Sequence, residues 1–404
     1  MKKNLLFVGA YPPPYGGIAS HLYTLLPELK QNGFNITSVT FSKSDRIIKT
    51  EGMTNIFVNK KRNFIRNMFS VILLFIKSLK LKNDLKLKEL FIQCISANYL
   101  VKKIDRLKID YIFLYDNREG YNIPIIRDTL KNKIIIIYTI YGDFYLYPEK
   151  YLKNKEYFDL IYHNSNLVLS SSEYCAKSAN KLYGGNYNVE VIYTGVDENI
   201  YVPKSSKIVK SFLNIPESSF VFFFLGRMDK SMGIDFLLEV ANDILGIADN
   251  VYLILAGARG EYSNQCSEIS NEYLNIQYHE NIPFEQKLDF YHASDVYLAP
   301  TMQKHACMGV SIKEAMACRL PIIASNSGGI PEAVKDGENG FIIKPVNGKL
   351  DKSKFINATV KLYKDKNLRK EMGNNGRSDF LEKFTNQTTT NHYLNVINQF
   401  SNSV

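Results

Sequence analysis

The sequence predicts an α/β protein built from two Rossmann-like domains, each with a parallel sheet covered by helices. Apolar runs of strand length alternate with helical patterns in the first half of the chain, and the same alternation starts again after about residue 216. Strands separated by helices form parallel sheets, because each crossover returns the chain to the same edge. The length of 404 residues also exceeds one ordinary hydrophobic core and suits two domains of about 200 residues each.

In each half, six apolar runs are short enough to be strands and are bounded by polar or turn-forming residues. The predicted strands of the first half are residues 5–9, 36–41, 111–115, 134–140, 167–171 and 189–193, with a helix at 18–32 after the first of them. Those of the second half are residues 220–225, 251–256, 276–279, 296–299, 322–325 and 340–343. Glycine, proline and a polar run break the pattern between Thr194 and Pro216, so the domains are expected at 1–200 and 201–384.

Composition describes an ordinary globular protein, with 45% hydrophobic and 22% charged residues. The five cysteines are odd in number and lack the spacing of metal ligands, so neither a disulfide framework nor a metal site is expected. No secretory signal is recognisable, and the longest apolar segment, 68–76, is well short of the roughly 20 residues that span a bilayer. These features predict a cytoplasmic protein that does not cross a membrane.

The net charge of +10 belongs to the first half of the chain, and residues 60–108 alone hold 13 basic and 3 acidic side chains. Basic residues interleaved with large apolar ones are typical of an amphipathic helix on an anionic membrane surface. The alternative is a solvated helix whose apolar stripe packs on its own domain. Nucleic-acid binding is disfavoured because no recognition motif accompanies the charge.

Two segments have the form of ligand-binding loops. V-G-A-Y-P-P-P-Y-G-G-I-A-S-H at 8–21 joins the first strand to a helix, and Gly16 and Gly17 allow the backbone to approach a bulky anion. The alternative is a turn whose glycines only relieve strain. In the second half, Gly309, Val310 and Ser311 directly precede a helical run, where free amides and the helix dipole favour a diphosphate.

Glu314 is predicted in the first turn of that helical run, where its carboxylate could accept hydrogen bonds from a diol such as ribose. The alternative is structural, because Ser311 and Glu314 form the S-x-x-E pattern of a capping box. No G-x-G-x-x-G fingerprint follows a strand, which disfavours a nicotinamide or flavin enzyme.

The block 305–338 resembles the donor-binding region of the family-4 retaining glycosyltransferases (glycosyl transferases group 1). The matching pieces are E-A-M-A at 314–317, P-I-I-A-S at 321–325 and G-G-I-P-E at 328–332. The resemblance implies a GT-B fold of two facing Rossmann-like domains, with a C-terminal crossover helix at 385–404 that belongs to the first domain. Three positions depart from the family pattern: Tyr141 replaces a histidine, Met232 a lysine and Ala306 a glutamate.

The resemblance also assigns roles to single residues. Arg227, with Lys230 standing in for the family's lysine, would neutralise the leaving diphosphate, and Glu314 would hold the ribose. The sugar would lie among Tyr141, Asp143 and His305. The remaining donor contacts implied are Gly16, Gly17, Gly257, Ile282, Gly309, Val310 and Ser311.

The implied function is transfer of a sugar, with retention and without a metal, from a nucleotide-diphosphate sugar to a hydroxyl acceptor. A UDP-sugar is the expected donor, and no other cofactor is expected. The acceptor would be a saccharide or lipid-linked saccharide used for cell-envelope polysaccharide or glycolipid, with the protein peripheral at the inner membrane face. Two alternatives stay open: a catalytically degenerate binding or scaffold protein, which the three departures motivate, and a sugar-nucleotide epimerase of the same fold.

Overall fold

The computed structural model describes residues 2–12, 17–81, 84–142, 148–185, 187–204, 207–303 and 307–400. The chain divides into two compact units. Unit 1 comprises Met1–Gly195 and Asn386–Val404, and unit 2 comprises Val196–Thr385. Each unit contains one large sheet of mainly parallel strands with helices in the connections, so the predicted α/β class with two Rossmann-like domains is confirmed.

Unit 1 contains an eight-stranded sheet in the order β3-β4-β2-β1-β5-β6-β7-β8. Its strands are β1 (Asn4–Val8), β2 (Asn35–Ser42), β3 (Arg46–Thr50), β4 (Met53–Asn59), β5 (Tyr111–Tyr115), β6 (Ile135–Ile140), β7 (Leu167–Ser170) and β8 (Val189–Val191). Six of them were predicted. The hairpin of β3 and β4 was missed, because β3 is an exposed edge strand with no apolar run. Its turn consists of Glu51 and Gly52, both with positive φ, as a two-residue hairpin requires.

The described helices of unit 1 cover both faces of this sheet. They are α1 (Gly17–Gln31), α2 (Lys60–Ser78), α3 (Leu87–Leu107), α4 (Asn117–Gly120), α5 (Ile123–Leu130), α6 (Pro148–Lys153), α7 (Lys155–Asn164), α8 (Glu173–Tyr183) and, after unit 2, α17 (Asn386–Gln399). The last of these is the predicted crossover helix. It packs on α1 and is fixed by Tyr393, which is buried and accepts a hydrogen bond from Tyr115 Oη at 2.9 Å.

Unit 2 contains a six-stranded parallel sheet in the order β11-β10-β9-β12-β13-β14. Its strands are β9 (Phe220–Leu225), β10 (Val251–Gly257), β11 (Ile276–Glu280), β12 (Val296–Ala299), β13 (Ile322–Ser325) and β14 (Gly340–Ile343), followed by a small hairpin of β15 (Pro345–Val346) and β16 (Lys349–Leu350). All six sheet strands were predicted; β9, β12 and β13 in particular are apolar runs buried along their whole length. The strand order reverses between β9 and β12, and such a switch point opens a crevice at the carboxyl ends of the strands.

The described helices of unit 2 connect these strands. They are α9 (Lys207–Phe212), α10 (Ile234–Leu245), α11 (Ser263–Glu272), α12 (Lys287–Ala293), α13 (Val310–Ala317), α14 (Ile330–Ala333), α15 (Lys352–Lys364) and α16 (Lys366–Lys383). Helix α13 follows β12 and packs on α16. It therefore begins at the carboxyl edge of the sheet, beside the switch point.

Candidate functional site

The described site residues predicted in unit 2 all follow the carboxyl ends of its parallel strands. Arg227 and Lys230 follow β9, Gly257 ends β10, Ile282 lies just after β11, and the residues of the α13 start follow β12. The sheet therefore places them along one edge, where ligands of open α/β folds bind. Their roles stay predictions.

The loops after β9 and β12 are joined into one wall. Thr301 Oγ1 donates a hydrogen bond to the carbonyl oxygen of Ser231 at 2.9 Å. Gly233 has a φ of +81°, and a Cβ atom at this position would lie 2.4 Å from the carbonyl oxygen of Pro300. Only glycine fits such an approach, so the sequence fixes the distance between the two loops.

A second close approach joins the ends of β9 and β10. Gly257 has a φ of +135°, and an added Cβ would lie 2.0 Å from the carbonyl oxygen of Gly226. The amide of Asn281, just before Ile282, donates to the carbonyl oxygen of Gly257 at 2.6 Å. The predicted donor contacts Gly257 and Ile282 thus belong to one backbone-lined edge.

Arg227 and Lys230 present their cations to solvent at this edge. The Arg227 side chain is 60% exposed, and its Nε lies 2.8 Å from Asp229 Oδ2. Lys230 is exposed in a short 3-10 helix, with its backbone amide bonded to Glu261. Met232, by contrast, is half-buried against the hydrophobic core of unit 2. Two exposed positive side chains therefore lie at this edge.

Helix α13 begins at Val310, two residues earlier than the sequence predicts. Its N-cap is Gly309, with φ +81° and no side chain to bond the first amides, so Val310 and Ser311 already belong to the helix. The predicted placement of Glu314 in the first turn is wrong, and so is the capping-box alternative. Glu314 is the fifth helical residue, and its carboxylate has other partners.

Three side chains donate hydrogen bonds to Glu314, which is only 3% exposed. Tyr201 Oη and Lys287 Nζ donate to Oε1 at 2.9 Å and 2.6 Å, and Tyr291 Oη donates to Oε2 at 2.6 Å. Burial, and after it the charge of Glu314, raises the pKa of both tyrosines above the usual value, which keeps them protonated as donors. A carboxylate can accept about four hydrogen bonds, and these three donors leave capacity for one more.

Tyr201, Lys287 and Tyr291 were not foreseen from the sequence. Tyr201 lies six residues after Gly195, in the predicted joint between the domains, and the other two belong to α12, which has no motif. Only the buried carboxylate reveals them, because a charge out of water requires compensating donors.

Lys313, next to Glu314 in α13, is also buried. Its Nζ lies 5.4 Å from the centre of the Phe384 ring. Burial lowers the pKa of Lys313 to about 7, and the nearby Cys307 and Glu332 only partly oppose this shift. No sequence pattern indicates that this lysine points inward.

In unit 1, the described predicted residues follow strands of its own sheet. Gly17 is exposed at the first position of α1, after β1, and Tyr141 is half-buried directly after β6. Gly16, Asp143, His305 and Ala306 lie outside the described residues. The roles predicted for Gly16, Gly17, Tyr141, Asp143 and His305 stay predictions.

Neither a metal centre nor a membrane-spanning helix is found among the described residues. No group of three His, Cys, Asp or Glu side chains there is arranged to hold a metal ion. No helix in this part of the chain is long and apolar enough to cross a membrane.

Related proteins match along the chain. An uncharacterized glycosyltransferase of Methanocaldococcus jannaschii is 25% identical over 279 residues, 66% of this chain and 69% of that protein. The capsular polysaccharide biosynthesis glycosyltransferase CapM of Staphylococcus aureus is 28% identical over 200 residues, 48% of this chain and 50% of that protein. The chain thus spans about half to two thirds of the length of these relatives.

Solved structures match over nearly the whole chain. The sucrose-phosphate synthase of Thermosynechococcus elongatus has a TM-score of 0.80 at 15% identity and covers 100% of both chains. HepE of Anabaena, in complex with UDP and glucose, has a TM-score of 0.73 at 15% identity and covers 98% of this chain and 100% of that one. At this identity the likeness establishes the fold, and the predicted GT-B fold is confirmed.

The family itself is established by matches in both units. Residues 15–200 match the family described as Glycosyltransferase Family 4, and residues 205–379 match the family described as Glycosyl transferases group 1. The chain therefore belongs to the family-4 glycosyltransferases of group 1.

Proposed function

We propose that this glycosyltransferase moves a sugar from a nucleotide-diphosphate sugar to a hydroxyl acceptor, with retention of the anomeric configuration. The observation that carries the proposal is the carboxyl edge of the unit 2 sheet. There the uncapped start of α13, two exposed cations and the carboxylate of Glu314 follow neighbouring strands. Amides and cations suit a diphosphate, and a buried carboxylate suits a diol.

A UDP-sugar is the proposed donor. HepE of Anabaena, a structural neighbour, has been solved with UDP and with UDP-glucose, which supports a uridine nucleotide. The diphosphate would accept from the amides of Val310 and Ser311, and a ribose hydroxyl would donate to the remaining acceptor site of Glu314.

The chemistry proposed is electrostatic stabilisation of the leaving group. Negative charge grows on the diphosphate as the sugar–oxygen bond breaks, and donors already aimed at that charge lower the barrier. The guanidinium of Arg227 pairs with Asp229. On binding of the donor it would turn from this carboxylate toward the phosphates. Lys230 would add a second cation, and the proposal requires no metal.

The proposed acceptor is a saccharide or lipid-linked saccharide of a cell-envelope polysaccharide or glycolipid pathway. CapM, a relative, is named for capsular polysaccharide biosynthesis, which supports this class. A cytoplasmic location at the inner membrane face suits such an acceptor, and five cysteines, odd in number and without metal-ligand spacing, suit a reducing compartment.

The second candidate is a binding or scaffold protein that has lost turnover. The observation that favours this candidate is the position of Met232. It packs on the hydrophobic core where the family has a phosphate-binding lysine. Both candidates bind nucleotide, so only catalysis separates them.

The test is release of nucleoside diphosphate from a panel of nucleotide sugars, with and without saccharide acceptors, in the presence of EDTA. We expect turnover, and Arg227→Ala should lower kcat by about a hundredfold, as the loss of a transition-state donor does. Arg62→Ala is the matched control, because Arg62 is 63% exposed and also pairs with an aspartate. NMR of the product anomer tests retention. Nucleotide binding without any turnover would favour the scaffold.

A further inference from the structure

Helix α2 carries an apolar stripe on its solvent side. Beyond a break in the helix at Asn67 (φ −126°), its members recur every three or four residues, which places them on one face over three turns. The exposed side chains are Ile65, Met68, Phe69, Ile72, Leu73, Ile76 and, just after the helix, Leu79. Phe69 is 76% exposed. Single exposed apolar residues are common, but a continuous stripe of this length marks an interaction surface.

The opposite side of α2 is firmly packed. Val71 is fully buried, and Phe64 and Phe75 make edge-to-face contacts with Phe91 of α3 at ring-centre distances of 5.5 Å and 5.3 Å. The helix thus has one apolar face for its own domain and a second one for something else. The sequence-level alternative, in which the apolar residues pack on the domain, accounts for the inner face alone.

The stripe lies in a strongly basic segment of the chain. Residues 60–80 contain six basic side chains and no acidic one. Arg62 and Arg66 share a single carboxylate, Asp45, at 3.5 Å each. Lys61 and Lys77 are exposed, and neither forms an ion pair with any described residue. A water-soluble protein partner would need a matching apolar and acidic groove, whereas an anionic bilayer offers both properties over its whole surface.

We infer that the outer face of α2 docks on an anionic phospholipid bilayer, with its apolar stripe at the depth of the headgroups and its cations among the lipid phosphates. Such a helix lies in the plane of the interface and does not span it. The surface is narrower than the basic segment 60–108 of the sequence, because the apolar residues of α3 other than Leu87 and Ile92 are buried or half-buried. Docking requires no nucleotide and is therefore independent of the proposed transfer reaction.

The chain contains no tryptophan, which allows a direct test. Phe69→Trp introduces a single tryptophan in the stripe. Phe212→Trp introduces a single tryptophan at a phenylalanine of unit 2 with the same 76% exposure. We expect vesicles of phosphatidylglycerol and phosphatidylcholine to shift the emission of Phe69→Trp to the blue and leave that of Phe212→Trp unchanged. Phosphatidylcholine alone should have little effect. No shift, or an equal shift with both lipids, would overturn the inference.

Vesicle flotation of the unmodified chain measures the affinity. The anionic vesicles should bind at least tenfold more strongly than neutral ones, because the basic residues near the surface attract anionic lipid, and 0.5 M salt should reduce this binding. Phe69→Ser should weaken it about tenfold and Phe212→Ser should not. If sedimentation instead showed a dimer that Phe69→Ser dissociates, with no vesicle binding, a second copy would cover the stripe and the membrane would be excluded.

Discussion

The carboxylate of Glu314 has a structural role and an expected role in ligand binding. It neutralises Lys287 inside unit 2 and accepts hydrogen bonds from two tyrosine hydroxyls. It is also expected to accept a hydrogen bond from a ribose hydroxyl of the donor. A substitution that removes it would therefore disturb folding and binding together. Variants that separate the two effects are needed before any loss of affinity can be assigned to the ligand.

Glu314→Gln should destabilise unit 2. Glutamine has nearly the same shape, but it leaves the Lys287 ammonium, which is 17% exposed, without a counter-charge. Removing one partner of a buried ion pair costs about 3 kcal/mol, so the free energy of unfolding by urea should fall by about that amount. Lys352→Met, which breaks an exposed pair with Asp243, is the control and should change little.

The double variant Glu314→Gln/Lys287→Met should recover much of that stability, because no unpaired charge is left inside. If Glu314 binds ribose, nucleotide affinity should still be lower by roughly 1.5–3 kcal/mol, the range for a hydrogen bond to a charged group. Calorimetric titration of the double variant measures it. Affinity equal to that of the unmodified protein would leave Glu314 a structural role alone.

Lys313 should make stability depend on pH. Its pKa is about 7 in the folded protein and about 10.5 in an unfolded chain. The unfolded state therefore binds more protons between these values, and stability from this group rises with pH across that window. Lys313→Met should stabilise the protein more at pH 7 than at pH 9, by about 2 kcal/mol. Urea unfolding of both proteins at both pH values checks this, and an equal difference at the two values would contradict a neutral buried lysine.

At the scale of elements, α16 holds the helix that carries Glu314. Gly373 of α16 lies against Arg319, two residues after the end of α13, since an added Cβ would be 2.2 Å from the carbonyl oxygen of Arg319. Gly376, one turn later, has only ordinary contacts at 3.8 Å or more. The two glycines of one helix thus differ in what surrounds them.

Gly373→Ala should lower the free energy of unfolding by about 1–3 kcal/mol, because the methyl group overpacks against backbone. Gly376→Ala should raise it by up to about 1 kcal/mol, as alanine favours a helix more than glycine does. Thermal and urea unfolding of the pair measure both. Similar effects of the two substitutions would show that α16 does not sit firmly on α13.

Elements differ in how far the sequence alone predicts them. The central strands of unit 2 were predicted because they are buried on both faces and read as apolar runs, such as F-V-F-F-F-L in β9. The edge strand β3 has an exposed pattern, so periodicity could not distinguish it from a loop. The start of α13 was misplaced, because Gly309 with positive φ replaces a side-chain cap.

For the whole molecule, motif and periodicity predicted the fold and the edge of the sheet where the site residues lie. They did not predict the partners of Glu314, because Tyr201 and Lys287 are far from it in sequence and meet it only through packing. The inward direction of Lys313 depends on the same packing. A motif within one short segment can be recognised in the sequence. Contacts between residues of different elements depend on packing and cannot.

The central claim is that unit 2 binds a nucleoside diphosphate at this edge. The most direct measurement is unfolding temperature with UDP, GDP, CDP and ADP in EDTA, for the unmodified protein and for Glu314→Gln/Lys287→Met. At 100 times its dissociation constant, one nucleotide, expected to be UDP, should stabilise the unmodified protein by about 2.7 kcal/mol. The double variant should need much more UDP for the same effect. If none of the four nucleotides stabilised the unmodified protein, the claim would be contradicted.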